Sequence, residues 1–264
     1  MYELVIANKN YSSWSLRPWV LMWARNIPFT EHQIPFPGGD SYPTYKPLSP
    51  NGRVPCLIDA GRPVWDSLAI VEYLAERHPG LWPDDAEARA WSRCAAAEMH
   101  SSFQTLRDIC TMNCGIRVRL KHRPAALERD IARIGELWNE GLSRFGGPYL
   151  AGDTFTGADA FFAPVAFRAQ TYGLDFGGAA SAYVERMLAE PAMREWYEAA
   201  LAEPWREEGH EEEEEDDQDP EEDDEPDHHQ QWADKPWGKR GDDYEALKEE
   251  YAQRLLEKLY EKMP

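Results

Sequence analysis

The 264-residue sequence predicts an α/β domain followed by an all-α domain, and three observations carry that prediction. Short β-rich runs alternate with a capped helix over residues 1–82, and from Ala86 onward apolar residues recur at three- and four-residue spacing. The acidity that gives the chain its net charge of -20 is confined to one block after both. Residues 1–206 hold 24 acids against 21 Lys and Arg, whereas residues 207–227 hold 16 acids and no Lys or Arg. The first 206 residues are therefore close to neutral and long enough to bury one or two cores.

The first strand is the run Tyr2–Ala7. Ser15 before Leu16, Arg17 and Pro18 reads as a helix cap, with Pro18 in the first turn, where its missing N–H costs nothing. His32–Phe36 reads as the second strand and Pro37–Asn51 as a loop. Val54–Ile58 and Pro63–Trp65 follow as two strands around an Asp59–Arg62 turn, and Ser67 caps a helix that stops near Pro79. In the helical half, one long helix carries Cys94, Met99, Phe103 and Leu106, and Pro124 opens another through Leu142. Thr156 and Asp159 have the spacing of a capping box, and Ala182–Glu190 and Pro191–Leu201 complete the domain at residues 86–206. Residues 207–241 read as an acidic disordered linker and residues 242–264 as an amphipathic C-terminal helix.

Composition already excludes several function classes. The acidic block repels phosphate, which disfavours nucleic-acid and anionic-membrane binding and leaves a basic protein as the partner the tail could take. No stretch is apolar enough to span a membrane, the start MYELVIANKN lacks a signal-peptide pattern, and four cysteines show no disulfide framework. The expected location is the cytoplasm. Cys110 and Cys114 are spaced to share a helix face, but without further ligands they make no zinc site, and no metal is expected.

Three short motifs carry the chemistry: Ser12-Ser13-Trp14-Ser15-Leu16-Arg17-Pro18 at a strand-to-helix turn, Val54-Pro55 after Pro50-Asn51-Gly52-Arg53, and Asp66-Ser67 at a helix start. In that order they resemble the glutathione-binding half of the glutathione S-transferase family, over roughly residues 2–206. The SSWS run is similar to the SSCS turn of zeta-class and related bacterial members, with Trp14 where zeta enzymes carry Cys. The resemblance implies a thioredoxin-like N-terminal domain, glutathione as co-substrate and a homodimer. A thiol is mostly protonated at neutral pH, and a hydroxyl at a helix N-terminus favours the thiolate. Ser12 and Ser13 are both candidates for that role. Val54, ahead of an implied cis Pro55, would pair with the cysteinyl backbone of glutathione. Asp66 and Ser67 would hold its γ-glutamyl ammonium and carboxylate, with Asp66 one methylene shorter than the family's usual Glu.

Trp14, Met99, His100, Phe103 and Arg107 are candidates for the walls of the second-substrate pocket; an exposed Arg107 would favour an anionic electrophile there, but an ordinary surface ion pair is the preferred reading for it. The function implied is attack of the glutathione thiolate on a small hydrophobic electrophile, as in detoxification, or glutathione-dependent cis–trans isomerisation. A non-catalytic scaffold with an acidic tail is the alternative.

Overall fold

The computed structural model describes residues 1–207. The readings of an acidic linker and a C-terminal helix lie outside the described residues. The N-terminal part contains β1 (Tyr2–Ile6), α1 (Ser13–Ala24), β2 (Phe29–Gln33), α2 (Tyr42–Tyr45), β3 (Cys56–Asp59), β4 (Arg62–Val64) and α3 (Ser67–Ala75). The sheet order is β2-β1-β3-β4, with β1 parallel to β2 and the other neighbours antiparallel. Successive side chains of β1 point to opposite faces, and both faces are covered. Leu4 and Ile6 enter the main core, whereas Val5 and Ala7 pack with Ile34, Tyr45, Leu48 and Cys56. That is why residues 4–7 are all apolar instead of alternating.

The helical part contains α4 (Ala86–Ser101), α5 (Gln104–Ile109), α6 (Ala125–Phe145), α7 (Gly157–Tyr172), α8 (Ala179–Ala189) and α9 (Pro191–Ala202). α6 buries Leu127, Ile131, Ile134, Leu137 and Trp138 along one face. α7 packs on α1 and α4 and is buried almost all round, as its mostly apolar sequence requires. One apolar cluster runs from Leu4 to Ala200, so the two parts share a core across the segment between α3 and α4, residues 76–85. Asp159 in the first turn of α7 accepts the Thr156 N–H at 2.9 Å, the backward-reaching half of the capping box.

Several boundaries differ from the sequence reading. α1 begins at Ser13 with Ser12 as N-cap, so Ser15 is inside the helix and Pro18 is in its second turn. Ser15 is buried there because its Oγ accepts hydrogen bonds from the Ala7 N–H and the Ser12 hydroxyl, a role no local signal shows. β2 lies earlier than His32–Phe36, because its pairing with β1 starts at Tyr2 opposite Phe29. The ladder closes where the Ile34 N–H meets the Ile6 carbonyl, just before Pro35, which has no donor to offer. β3 starts at Cys56, after Val54 and Pro55. Asp66, not Ser67, caps α3: its Oδ1 accepts the Leu68 N–H at 3.1 Å. α8 begins at Ala179, not Ala182, behind Gly178.

The long helix expected through Leu106 is two helices. Ser102 is extended and Phe103 takes the left-handed conformation at φ 63°, so α4 stops and α5 restarts. The guanidinium of Arg107 donates to the Ser102 and Met99 carbonyls, which satisfies acceptors at the end of α4. Neither Gly nor Pro marks this break. Cys110 ends α5 and Cys114 lies beyond it, so they do not share a helix face.

Candidate functional site

The loop from Asn8 to Ser12 delivers β1 into α1 and is held mainly by backbone bonds and by the helical half. The Asn8 carbonyl accepts the Ser12 N–H at 2.8 Å, and the Asn8 side chain accepts the Phe36 N–H at 2.7 Å. Asn10 Oδ1 accepts the Cys114 and Gly115 amides, and Trp196 of α9 donates to the Lys9 carbonyl at 2.8 Å. Glu203, just past α9, accepts the Lys9 N–H at 2.5 Å, the Asn10 N–H at 3.2 Å and the Gln33 amide.

Burial pushes the Glu203 carboxyl up to about 7 from 4.5, against the pull of these donors and of Lys9. Between those values the unfolded chain has released a proton that the folded chain keeps, so this group lowers stability as pH rises from 4.5 to about 7. Glu203→Gln should flatten that part of the profile. Thermal melts of the parent and the variant at pH 5 and pH 8 check it, and equal slopes would refute the assignment.

A cavity of about 330 Å³ opens at the N-terminus of α1. Ser12, Ser13, Trp14 and Val54 border it from the α/β side, together with Tyr11, Tyr45 and Arg53. Arg107, Thr111, Met112 and Arg168 border it from the helical side. The Ser12 hydroxyl donates to Ser15 Oγ at 2.7 Å, and no side chain caps α1. Among the described residues, the Ser13 hydroxyl has no hydrogen-bond partner, and neither has the Val54 backbone, which precedes a cis Pro55.

Asp66, Ser67, Met99, His100 and Phe103 do not border this cavity. Ser67 is fully buried and its Oγ has no partner. Asp66 Oδ2 lies 3.5 Å from His100 Nε2, and His100 meets the Trp14 ring edge-on at 5.2 Å. Burial holds the His100 pKa below its ordinary value despite Asp66, so the ring is neutral at neutral pH and the contact is not an ion pair there. Met99 and Phe103, expected as pocket walls, are core residues instead: Met99 lies on the buried face of α4 with Ala88, Ser92, Ala95 and Ala96, and Phe103 is buried at the left-handed turn before α5.

Arg107 is not the surface ion pair expected. It is half-buried, bonded to backbone carbonyls, and lies 5.0 Å from the Trp14 ring. Arg17 is fully buried, stacks 4.1 Å from the same ring and has no hydrogen-bond partner on any guanidinium nitrogen. Burial lowers its pKa far below the usual arginine range, and Arg107 and Arg168 push the same way. Burial also pushes Arg168 down to about 10. The sequence reading missed Arg168, although a lone Arg in the apolar run of α7 was a visible signal. Burial raises the thiols of Cys56 and Cys110 to about 11, so neither competes as a nucleophile. Among the described residues no cluster of His, Cys, Asp and Glu could hold a metal ion, and no helix is long and apolar enough to cross a membrane.

Residues 11–77 match the model of the glutathione S-transferase N-terminal domain and residues 122–199 that of its C-terminal domain, together more than half of the chain. A glutathione S-transferase of Xanthomonas campestris pv. campestris is 30% identical over 165 residues, spanning 56% of this chain and 76% of that protein. The chain belongs to the glutathione S-transferase family. A probable maleylacetoacetate isomerase of Caenorhabditis elegans is 27% identical to this transferase-family chain over 172 residues, covering 62% of it and 76% of the relative. A Burkholderia GL BGR1 glutathione transferase homolog, solved with bound glutathione, shares the fold at a TM-score of 0.57 and 22% identity, covering 76% of this chain and 99% of that one. In the transferase fold described here, the strand-to-helix turn with Ser12 and Ser13 and the segment with Val54 meet at one cavity, while neither Asp66 nor Ser67 borders it and Asp66 is linked to Trp14 through His100.

Proposed function

We propose that this chain is a glutathione transferase in which Ser13 holds the glutathione sulfur as thiolate. The observation that carries the reading is the Ser13 hydroxyl, unpartnered at the first position of α1 and bordering the cavity. A donor there, together with the helix dipole, favours the anionic sulfur without attacking anything itself. Ser12 is the weaker candidate, since its proton goes to Ser15.

Val54 offers a free N–H and carbonyl to the cysteinyl backbone of glutathione. The orphaned Ser67 hydroxyl and the half-exposed Asp66 carboxylate suit the γ-glutamyl end, with Ser67 reached once the ligand displaces what covers it. Residues 1–82 then form the glutathione domain and residues 86–206 the domain that supplies the second substrate. The same sulfur serves conjugation of an electrophile or, by adding and leaving again, cis–trans isomerisation, a chemistry that the relative named as an isomerase supports. A cytoplasmic homodimer is the assembly that suits the family.

Calorimetric titration of reduced glutathione into the full chain tests this reading. Saturable binding is expected, weakened about 10- to 150-fold in Ser67→Ala, the worth of one hydrogen bond to a charged group. Unchanged affinity in that variant removes Ser67 from the site. No binding at millimolar glutathione favours the scaffold alternative, with the acidic block as its partner surface.

A further inference from the structure

Two arginines of the helical half border the cavity, and a third lies behind its Trp14 wall. Arg168 from α7 is 3% exposed and borders the cavity. Its Nε donates to the Cys110 carbonyl at 2.7 Å, while its Nη1 has no partner. Arg107 from α5 borders the same wall and also has an unpartnered Nη1. Arg17 lies behind Trp14, whose ring borders the cavity and contacts both the Arg17 and Arg107 guanidinium groups. None of the three makes an ion pair among the described residues, whereas exposed arginines elsewhere find carboxylates, as Arg93 does with Glu72 and Arg133 with Glu98.

Buried cations without a partner are costly, and their cost falls when an anion enters the same low-dielectric space. A neutral apolar electrophile would remove water from the cluster and give nothing back. A carboxylate would meet planar N–H donors suited to it. Arg53, by contrast, stands beside Val54 on the opposite wall, where the glutathione backbone is placed above.

We propose that the helical wall of the cavity is a carboxylate receptor, in which Arg107 and Arg168 bind an anionic group on the second substrate and Arg17 supports them through Trp14. The proposal rests on the glutathione reading for the identity of the co-substrate, and it replaces the hydrophobic electrophile expected from the sequence with a carboxylate-bearing one.

Calorimetry with three ligands tests it on the full chain: glutathione, S-carboxymethylglutathione and S-carbamoylmethylglutathione. The two conjugates match in size and differ by one charge. The carboxymethyl conjugate is expected to bind about 10-fold or more tightly than the carbamoyl one. In Arg107→Gln, and in Arg168→Gln if it folds, that preference should shrink to about 3-fold or less, with affinity for glutathione itself little changed. Equal binding of the two conjugates overturns the receptor while leaving the glutathione reading intact. An Arg107→Gln loss shared equally by glutathione also overturns it, because the cation would then serve the tripeptide. Binding of the carboxymethyl conjugate alone supports the receptor and defeats the glutathione reading, and no binding of any ligand defeats both.

Discussion

Ser13→Ala should lower kcat/KM for conjugation of glutathione to a chloronitroarene by about 100-fold at neutral pH, the usual loss when one preorganised donor to a reacting anion is removed. The rising limb of the pH profile should also move upward, toward the pKa of an ordinary thiol. Both effects follow from one change: without the hydroxyl, less of the bound sulfur is ionised. Ser12→Ala is expected to do less, since the Ser12 proton already goes to Ser15 at 2.7 Å. Steady-state rates for the two variants from pH 6 to 9 decide the matter. A shifted profile in Ser12→Ala and an unchanged one in Ser13→Ala would transfer the role to Ser12.

Asp159→Ala should destabilise the fold by about 3 to 5 kcal/mol, from several buried donors left without an acceptor. The carboxylate is fully buried and accepts the Leu150 N–H at 3.0 Å, the Thr156 N–H at 2.9 Å, the Thr156 hydroxyl at 3.1 Å and the Tyr183 hydroxyl at 2.8 Å. It therefore ties the start of α7 to the preceding loop and to α8. Because α7 also carries Arg168 and packs on α1, loosening it reaches the cavity. Urea unfolding of the parent and variant measures the loss. A change under about 1 kcal/mol, the scale of a single helix cap, would mean that water replaces the carboxylate.

These two residues differ in how far the sequence reveals them. Thr156 and Asp159 stand at capping-box spacing ahead of an apolar run, and the structure has the backward bond to the N-cap amide there. Ser12 and Ser13 are visible as donors at a helix start. Which of them is free depends on Ser15, whose hydroxyl is turned inward to the Ala7 amide, and the sequence reading had placed Ser15 at the cap.

The same limit explains the pocket walls. Met99 and Phe103 have the helical spacing of a continuous face, but Met99 belongs to the buried face of α4, and the break at Ser102–Phe103, where Arg107 of the next helix bonds to the Ser102 carbonyl, interrupts the helix before Phe103.

The sequence by itself determined the α/β-then-α architecture, the family, and the residue types at the turn, at Val54-Pro55 and at Asp66-Ser67. Those signals are local: periodicity, caps and short motifs depend on neighbours a few positions away. Only the tertiary structure decided that Ser13 keeps a free hydroxyl, that Ser67 is orphaned in the interior, and that Arg107 and Arg168 border one cavity with Arg17 behind its Trp14 wall. The three arginines come from α1, α5 and α7, far apart along the chain. Their charges act on one another only because the packing of those helices excludes water between them and lowers the local dielectric.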